Sequence, residues 1–215
     1  MMQVFGFPNT RATRVLWALE EIGADYEYVP VDLHKGEGRR PPYVDLNPAG
    51  KVPTLLEDGF ALSESAAICT FLGDRFPQSG LTPTHGSRER ALYNKWCFFV
   101  IGELEQPLWT LAKHRFALPE KRRVPAIMET AAWEFGVVAN VLNIGLGGRE
   151  FILGEQFTAA DILIAHTLGW ALACNLSLGS PSLDRYAQRV LGRPALARAR
   201  QRESMDQNQG RKTDG

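Results

Sequence analysis

Hydrophobic positions change period along the chain. "QVFGF" (3–7) has the pattern of a short strand, and in 11–23 Val15, Leu16, Leu19 and Ile22 fall on one side of a helix. "DYEYVPVDL" alternates as a second strand, and its internal Pro30 places it at a sheet edge, because proline brings no N–H to a ladder. "HKGEGRRPP" (34–42) is basic and rich in Gly and Pro, hence loop. The runs on either side of Asp58-Gly59 predict a tight hairpin, and "SESAAICTFLGDRF" a helix that starts near Ser63–Ser65. The order is that of a small sheet covered by helices.

After a Pro- and Gly-containing linker the pattern is helix upon helix. The expected layout is a mixed α/β domain over 1–77, a linker over 78–86, an all-helical domain over 87–203 and a frayed polar tail over 204–215. Within the second domain one long helical pattern starts near 87, with Pro107 set to bend it. Another covers roughly 119–144, with Pro125 in its opening turns, and "GLGGRE" (145–150) is loop. "FTAADILIAHTLGWALA" is apolar almost all round, which puts that helix at the centre of its domain. "TAAD" (158–161) fits an N-capping box, and Phe157 and Ile162 flank it as a hydrophobic staple. "RPALARARQR" is a final short helix with Pro194 near its start.

Composition narrows the function. Twenty-four basic residues balance 24 acidic ones, so a nucleic-acid partner has no electrostatic support. No apolar run approaches the roughly 20 residues that span a bilayer. The N-terminus enters a strand without leader features, so a cytoplasmic location is expected. Cys69, Cys97 and Cys174 lie far apart in apolar helical contexts and are expected to be buried reduced thiols. The four histidines show no ligand spacing, and no metal site is expected. "GLGG" lacks both the dinucleotide-binding spacing and a preceding strand. The five basic residues within 114–123 fit a solvated face better than a substrate lining.

Three segments carry chemistry. "GFPNTRATR" (6–14) is a proline-broken turn in which Asn9 and Thr10 can cap the following helix, and its exposed amides suit an anion. It holds no Cys, His or Asp, so any nucleophile it serves arrives with a ligand. In "NPAGKVPTLLEDG" (47–59), Pro53 cannot donate to a ladder, which leaves the Val52 backbone to pair elsewhere; an ordinary edge-strand proline would look the same. "SES" (63–65) opens a helix, a second anion site, with Glu64 as a carboxylate for an amine. Together these suit a short zwitterionic peptide.

Those segments, with "LSESAAI" and "FTAADI", resemble the glutathione transferase family in order and spacing to about residue 203, in a bacterial type with phi-, theta- and nu-like features. The resemblance implies a thioredoxin-like first domain, an all-helical second domain and a detoxifying homodimer. Glutathione would be the co-substrate and a small hydrophobic electrophile its partner. It implies that Pro53 is cis, that Val52 pairs with the cysteinyl unit, and that Glu64 and Ser65 take the γ-glutamyl end. Lys51 would serve the glycine end.

Plant-type relatives bind the glycine carboxylate with a His-Lys pair; the corresponding places hold Gly38 and Arg39. Arg39, with Arg40, is the carried-over cation, and His34 and Lys35 stand near. The Ser that activates the thiol in many relatives is replaced by Thr10, with Asn9 before it. The electrophile would lie between domains against Phe7, Trp109, Lys113 and Phe116, where Trp109 and Lys113 share a helical face; a plain core role for Trp109 stands equally open. The alternatives are a glutathione-dependent peroxidase or disulfide reductase, and a non-enzymatic carrier of apolar ligands.

Overall fold

The computed structural model describes residues 1–210 of the 215. The chain forms two compact units: Met1–Thr82 together with the chain from Gly192, and Pro83–Leu191. The helix that follows Gly192 therefore belongs with the first unit, not with the helical domain whose expected range was 87–203.

In the first unit, β1 (Met2–Gly6) leads through a turn into α1 (Ala12–Ile22), then β2 (Tyr26–Pro30). A short α2 (Tyr43–Leu46) precedes β3 (Thr54–Glu57), β4 (Phe60–Ser63) and α3 (Ser65–Arg75). The sheet order is β2-β1-β3-β4, with β1 parallel to β2 and antiparallel to β3. Pro30 lies on the edge strand opposite Gly6, where a missing N–H does least harm. The β3–β4 hairpin turns at Asp58 and Gly59, both at positive φ, as two-residue hairpin turns require.

Helices α1 and α3 pack together, and their apolar faces supply Val15, Leu16, Trp17, Leu19, Ile68 and Leu72 to a closed core. The last helix, α9 (Pro194–Gly210), lies along α1 and β2. It is longer than the short helix expected there, and residues 204–210 are its last turns rather than a frayed tail; the rest of that tail lies outside the described residues.

In the second unit, the long helix expected from 87 is interrupted. It consists of α4 (Arg88–Phe99), a π turn over Val100–Leu104, α5 (Gln106–Ala112) and a second π turn over Lys113–Ala117. The break falls just ahead of Pro107, which occupies the first turn of α5, where its missing N–H costs nothing. Next, α6 runs Ile127–Leu146, not 119–144, because Pro125 stands before the helix and Gly147 closes it in the left-handed region. Then α7 (Ala159–Ala173) contributes ten buried residues and contacts α4 and α8 (Pro181–Leu191). The amphipathic pattern of α8, with Leu183, Tyr186, Ala187 and Val190 buried, had gone unassigned. Cys69 and Cys97 are buried, but Cys174 is half-buried near the end of α7.

Candidate functional site

The first unit gathers three backbone features at its surface. The loop 47–53 is held from beneath: the Tyr43 hydroxyl and the Asn47 amide (2.8 Å) both donate to the Lys51 carbonyl, and Asn47 also reaches the Thr54 hydroxyl (3.2 Å). These bonds fix the approach to a cis Val52–Pro53 peptide. Val52 makes no hydrogen bond through its own N–H or C=O among the described residues.

The second feature is the start of α3. Glu64 occupies its N-cap position at φ 68, and no side chain caps the helix. A non-glycine residue at positive φ costs about 1–3 kcal/mol and persists only where its surroundings impose it. Ser65, buried behind it, accepts from the guanidinium of Arg14 (3.3 Å), itself fully buried on α1, so the Ser65 hydroxyl proton remains to donate. Arg14 was not singled out in the sequence; a charged residue on the apolar face of α1 was its one signal.

The third is the turn 7–11. Its N-cap position falls on Arg11, without a side-chain cap, rather than on Asn9 or Thr10. The Thr10 hydroxyl donates to the Phe7 carbonyl (2.6 Å) and accepts from the Ala12 N–H (3.2 Å). Asn9 is exposed at φ 58. A buried carboxylate from α9 meets this turn: Glu203 accepts from the Thr13 hydroxyl (2.7 Å) and from the Asn9 backbone N–H. Burial raises the Glu203 carboxyl to about 7, against the lowering effect of those bonds and of Arg200. Thr13 and Glu203 were both missed, and "RARQRES" reads as solvated surface until the helix is docked.

Arg39 and Arg40 line a cavity of about 470 Å³ together with Leu33, Gly36, Gly38 and Gly50. A side chain at Gly38 would meet the Gly50 carbonyl at 2.8 Å, so the backbone here has room only for glycine. His34 packs edge-on against Phe7, ring centroids 5.1 Å apart, beside a cluster of Val31, Tyr43 and Val52.

In the second unit, Trp109 is half-buried on α5 and Lys113 half-buried one turn on. Phe116 lies in a turn closed by the Leu118 N–H on the Lys113 carbonyl (3.0 Å), so the α-helical spacing that would stack it under Lys113 does not apply; it is 66% exposed. The box at Thr158 and Asp161 forms, with Asp161 also accepting from Ile152 N–H (2.8 Å) and the Tyr186 hydroxyl (2.8 Å). Phe157 stacks edge-on against Phe151. Among the described residues no group of His, Cys, Asp and Glu has the makings of a metal site, and no helix is long and apolar enough to cross a membrane.

A four-stranded mixed sheet with a cis-proline before β3, followed by an all-helical unit, defines a thioredoxin-like fold joined to a helical domain. Residues 1–74 match the glutathione S-transferase N-terminal domain and 104–194 its C-terminal domain, and the chain belongs to the glutathione S-transferase family. It is 32% identical to glutathione S-transferase GST-4.5 of Xanthomonas campestris pv. campestris, over 78% of this chain and 83% of that one. It is 28% identical to the disulfide-bond oxidoreductase YfcG of Escherichia coli, over 93% and 94%. A sphingomonad glutathione S-transferase solved with glutathione superposes at TM-score 0.82, with 31% identity, over 94% and 98%.

Proposed function

We propose that this protein binds glutathione on its first unit and activates the thiol for attack on a hydrophobic electrophile. The observation that carries the reading is the Val52 backbone, without a partner ahead of a cis-proline in the same unit as the uncapped start of α3. A peptide's own backbone completes that edge, its γ-glutamyl carboxylate takes the α3 amides and the Ser65 hydroxyl, and its amine takes Glu64. Arg39 and Arg40, with Lys51, hold the glycine carboxylate.

A free thiol has a pKa of about 8.5. One hydroxyl or amide donating to the sulfur anion is worth roughly 1.5–3 kcal/mol, which lowers that pKa by about one to two units. The candidate donors at the turn are Thr10, whose hydroxyl would turn from the Phe7 carbonyl to the sulfur, and the exposed Asn9. The thiolate then bonds to the electrophilic carbon as its leaving group departs; Phe7 is the first unit's candidate contact for the electrophile, and Trp109, Lys113 and Phe116 are those of the second unit.

A second reading, reduction of disulfides or peroxides by glutathione, draws support from the named activity of the E. coli relative and from a Thr10 proton already engaged by the Phe7 carbonyl. Assays with glutathione and a chlorodinitrobenzene-type acceptor, an organic hydroperoxide or hydroxyethyl disulfide separate the two. Conjugation alone supports the first, and reduction without conjugation replaces it. Failure of calorimetry to detect glutathione binding overturns both and leaves the ligand-carrier reading.

We further place the protein in the cytoplasm as a homodimer. Phe98 on α4 and Trp133 and Ile144 on α6, exposed at 77, 68 and 71%, support a covered face. Light scattering should give about twice the 23.9 kDa chain mass, and a clean monomer with full activity would refute the dimer.

A further inference from the structure

We propose that Glu203, at the far end of α9, is a positioning residue for thiol activation: it locks the Asn9–Thr10 turn in its working shape. This rests on the glutathione reading above. The observations start with the mooring of α9. Arg193 clamps Glu21 through two bonds (2.6 and 2.8 Å), and Arg198 binds the Glu20 carboxylate (2.8 Å) and carbonyl (2.9 Å). Both acids sit in the last turn of α1. The helices run antiparallel from there, so ten residues beyond Arg193 the chain arrives at the opposite end of α1.

There Glu203 accepts from the Thr13 hydroxyl (2.7 Å) and the Asn9 N–H, bridging the first turn of the helix to the loop before it. Thr13 and Glu203 are each only 3% exposed, so water does not compete for these bonds. The φ of Asn9, 58, lies in the left-handed region, which asparagine tolerates better than most residues, and the Glu203 bond to its N–H holds that shape against the negative-φ alternatives. With that bond removed, Asn9 relaxes toward negative φ and carries the Thr10 donor with it. Val52, Glu64, Ser65 and Arg39 belong to other segments and keep their places, so the loss falls on the thiolate and spares binding.

The test measures thiolate absorbance of the glutathione complex against pH, with kcat and glutathione affinity, for Glu203→Ala, Glu203→Gln, Thr13→Val and Thr13→Ser. Glu203→Ala and Thr13→Val should raise the titration midpoint by about one unit and lower kcat near neutral pH about tenfold, with the glutathione Kd within about twofold. Glu203→Gln and Thr13→Ser, which keep an acceptor and a donor, should restore most of both. A midpoint that stays at the wild-type value while the melting temperature falls means a purely structural tie and overturns the proposal. If Glu203→Ala does not fold, an unmoved midpoint in Thr13→Val overturns it alone. No glutathione binding by the wild type removes the underlying functional reading, and this inference with it.

Discussion

At the start of α7, Asp161 accepts from two backbone N–H groups and two hydroxyls, whereas at the start of α3 the side chain of the N-cap residue, Glu64, accepts nothing from the helix. Both helices open a buried packing surface, and both leave N–H groups that need partners. In the helical unit the chain supplies them and the end is closed. In the thioredoxin-like unit Glu64 sits exposed at the N-cap at φ 68, and its side chain does not cap the helix. The difference separates a helix start closed by its own chain from the one to which the proposed function gives a ligand. Glu203 stands between the two: a buried carboxylate like Asp161, but tied to the turn where thiol activation is proposed.

The largest effect should come from opening the closed end. Asp161→Ala leaves four donors, on Ile152, Thr158 and Tyr186, without their acceptor, at about 1–3 kcal/mol for each group left buried and unsatisfied. Chemical denaturation should show at least about 3 kcal/mol lost, with the glutathione affinity of the folded fraction unchanged. A loss below about 1 kcal/mol would mean that the box contributes little.

The two buried carboxylates also predict a pH dependence. Glu203 titrates near 7 in the folded chain against 4.5 for its ordinary value, so the folded state holds a proton that the unfolded state releases between those limits. Stability from this group is therefore full below about 4.5 and is lost as pH rises toward 7, by about 3 kcal/mol in all. Asp161 is raised by burial too and acts in the same direction. The difference between wild type and Glu203→Gln isolates Glu203: the two should converge near pH 5, with the variant gaining relative stability by pH 8. Parallel profiles across that range would refute the assignment.

The contrast between the two helix ends also explains what was legible in the sequence. A capping box is local: "TAAD" carries its donor, acceptor and spacing within four residues. The hairpin at Asp58-Gly59, edge-strand Pro30 and the central α7 were legible for the same reason, since each follows from neighbours in the chain. The interruption near Pro107 was foreseen as a bend, but its form, two π turns, depends on packing. The Glu203–Thr13 contact spans 190 residues and joins a basic, polar helix to an apolar one. No periodicity encodes that. Helix α9 read as a short helix because its apolar positions, Ala195, Leu196 and Ala199, all buried, fall in its first half, while the buried residue further on, Glu203, is charged. Gly38 was legible as a glycine in a basic loop, while the Gly50 carbonyl that would meet any side chain there was not.

The open end should respond in the opposite sense to the closed one. Glu64→Gly removes the side chain expected to hold the glutathione amine and relieves a residue at φ 68. Binding should weaken by about 2 kcal/mol, roughly thirtyfold by calorimetry, since one partner of a charge pair is lost. Folding stability should hold or rise by up to about 1 kcal/mol, because glycine adopts that conformation without strain. A fall in stability together with unchanged affinity would make α3 a second structural cap and erase the comparison.

The finest distinction within the open site is which residue of the turn faces the sulfur. If the Thr10 hydroxyl turns from the Phe7 carbonyl to a bound thiolate, Thr10→Ala should raise the midpoint of the bound thiol by about one to two units. Turnover near neutral pH then falls about ten- to a hundredfold, and most of it returns at high pH, where the thiol ionises unaided. Thr10→Ser keeps the donor and should keep the activity. The opposing case is that Thr10 stays bonded to Phe7 and Ala12, in which case the exposed amide of Asn9 is the donor. Asn9→Ala would then move the midpoint, and Thr10→Ala would only loosen the turn. Asn9→Gly refines the result: glycine keeps the positive φ but loses the amide, so a midpoint unmoved there and shifted in Thr10→Ala assigns the sulfur to Thr10, and the reverse pattern assigns it to Asn9.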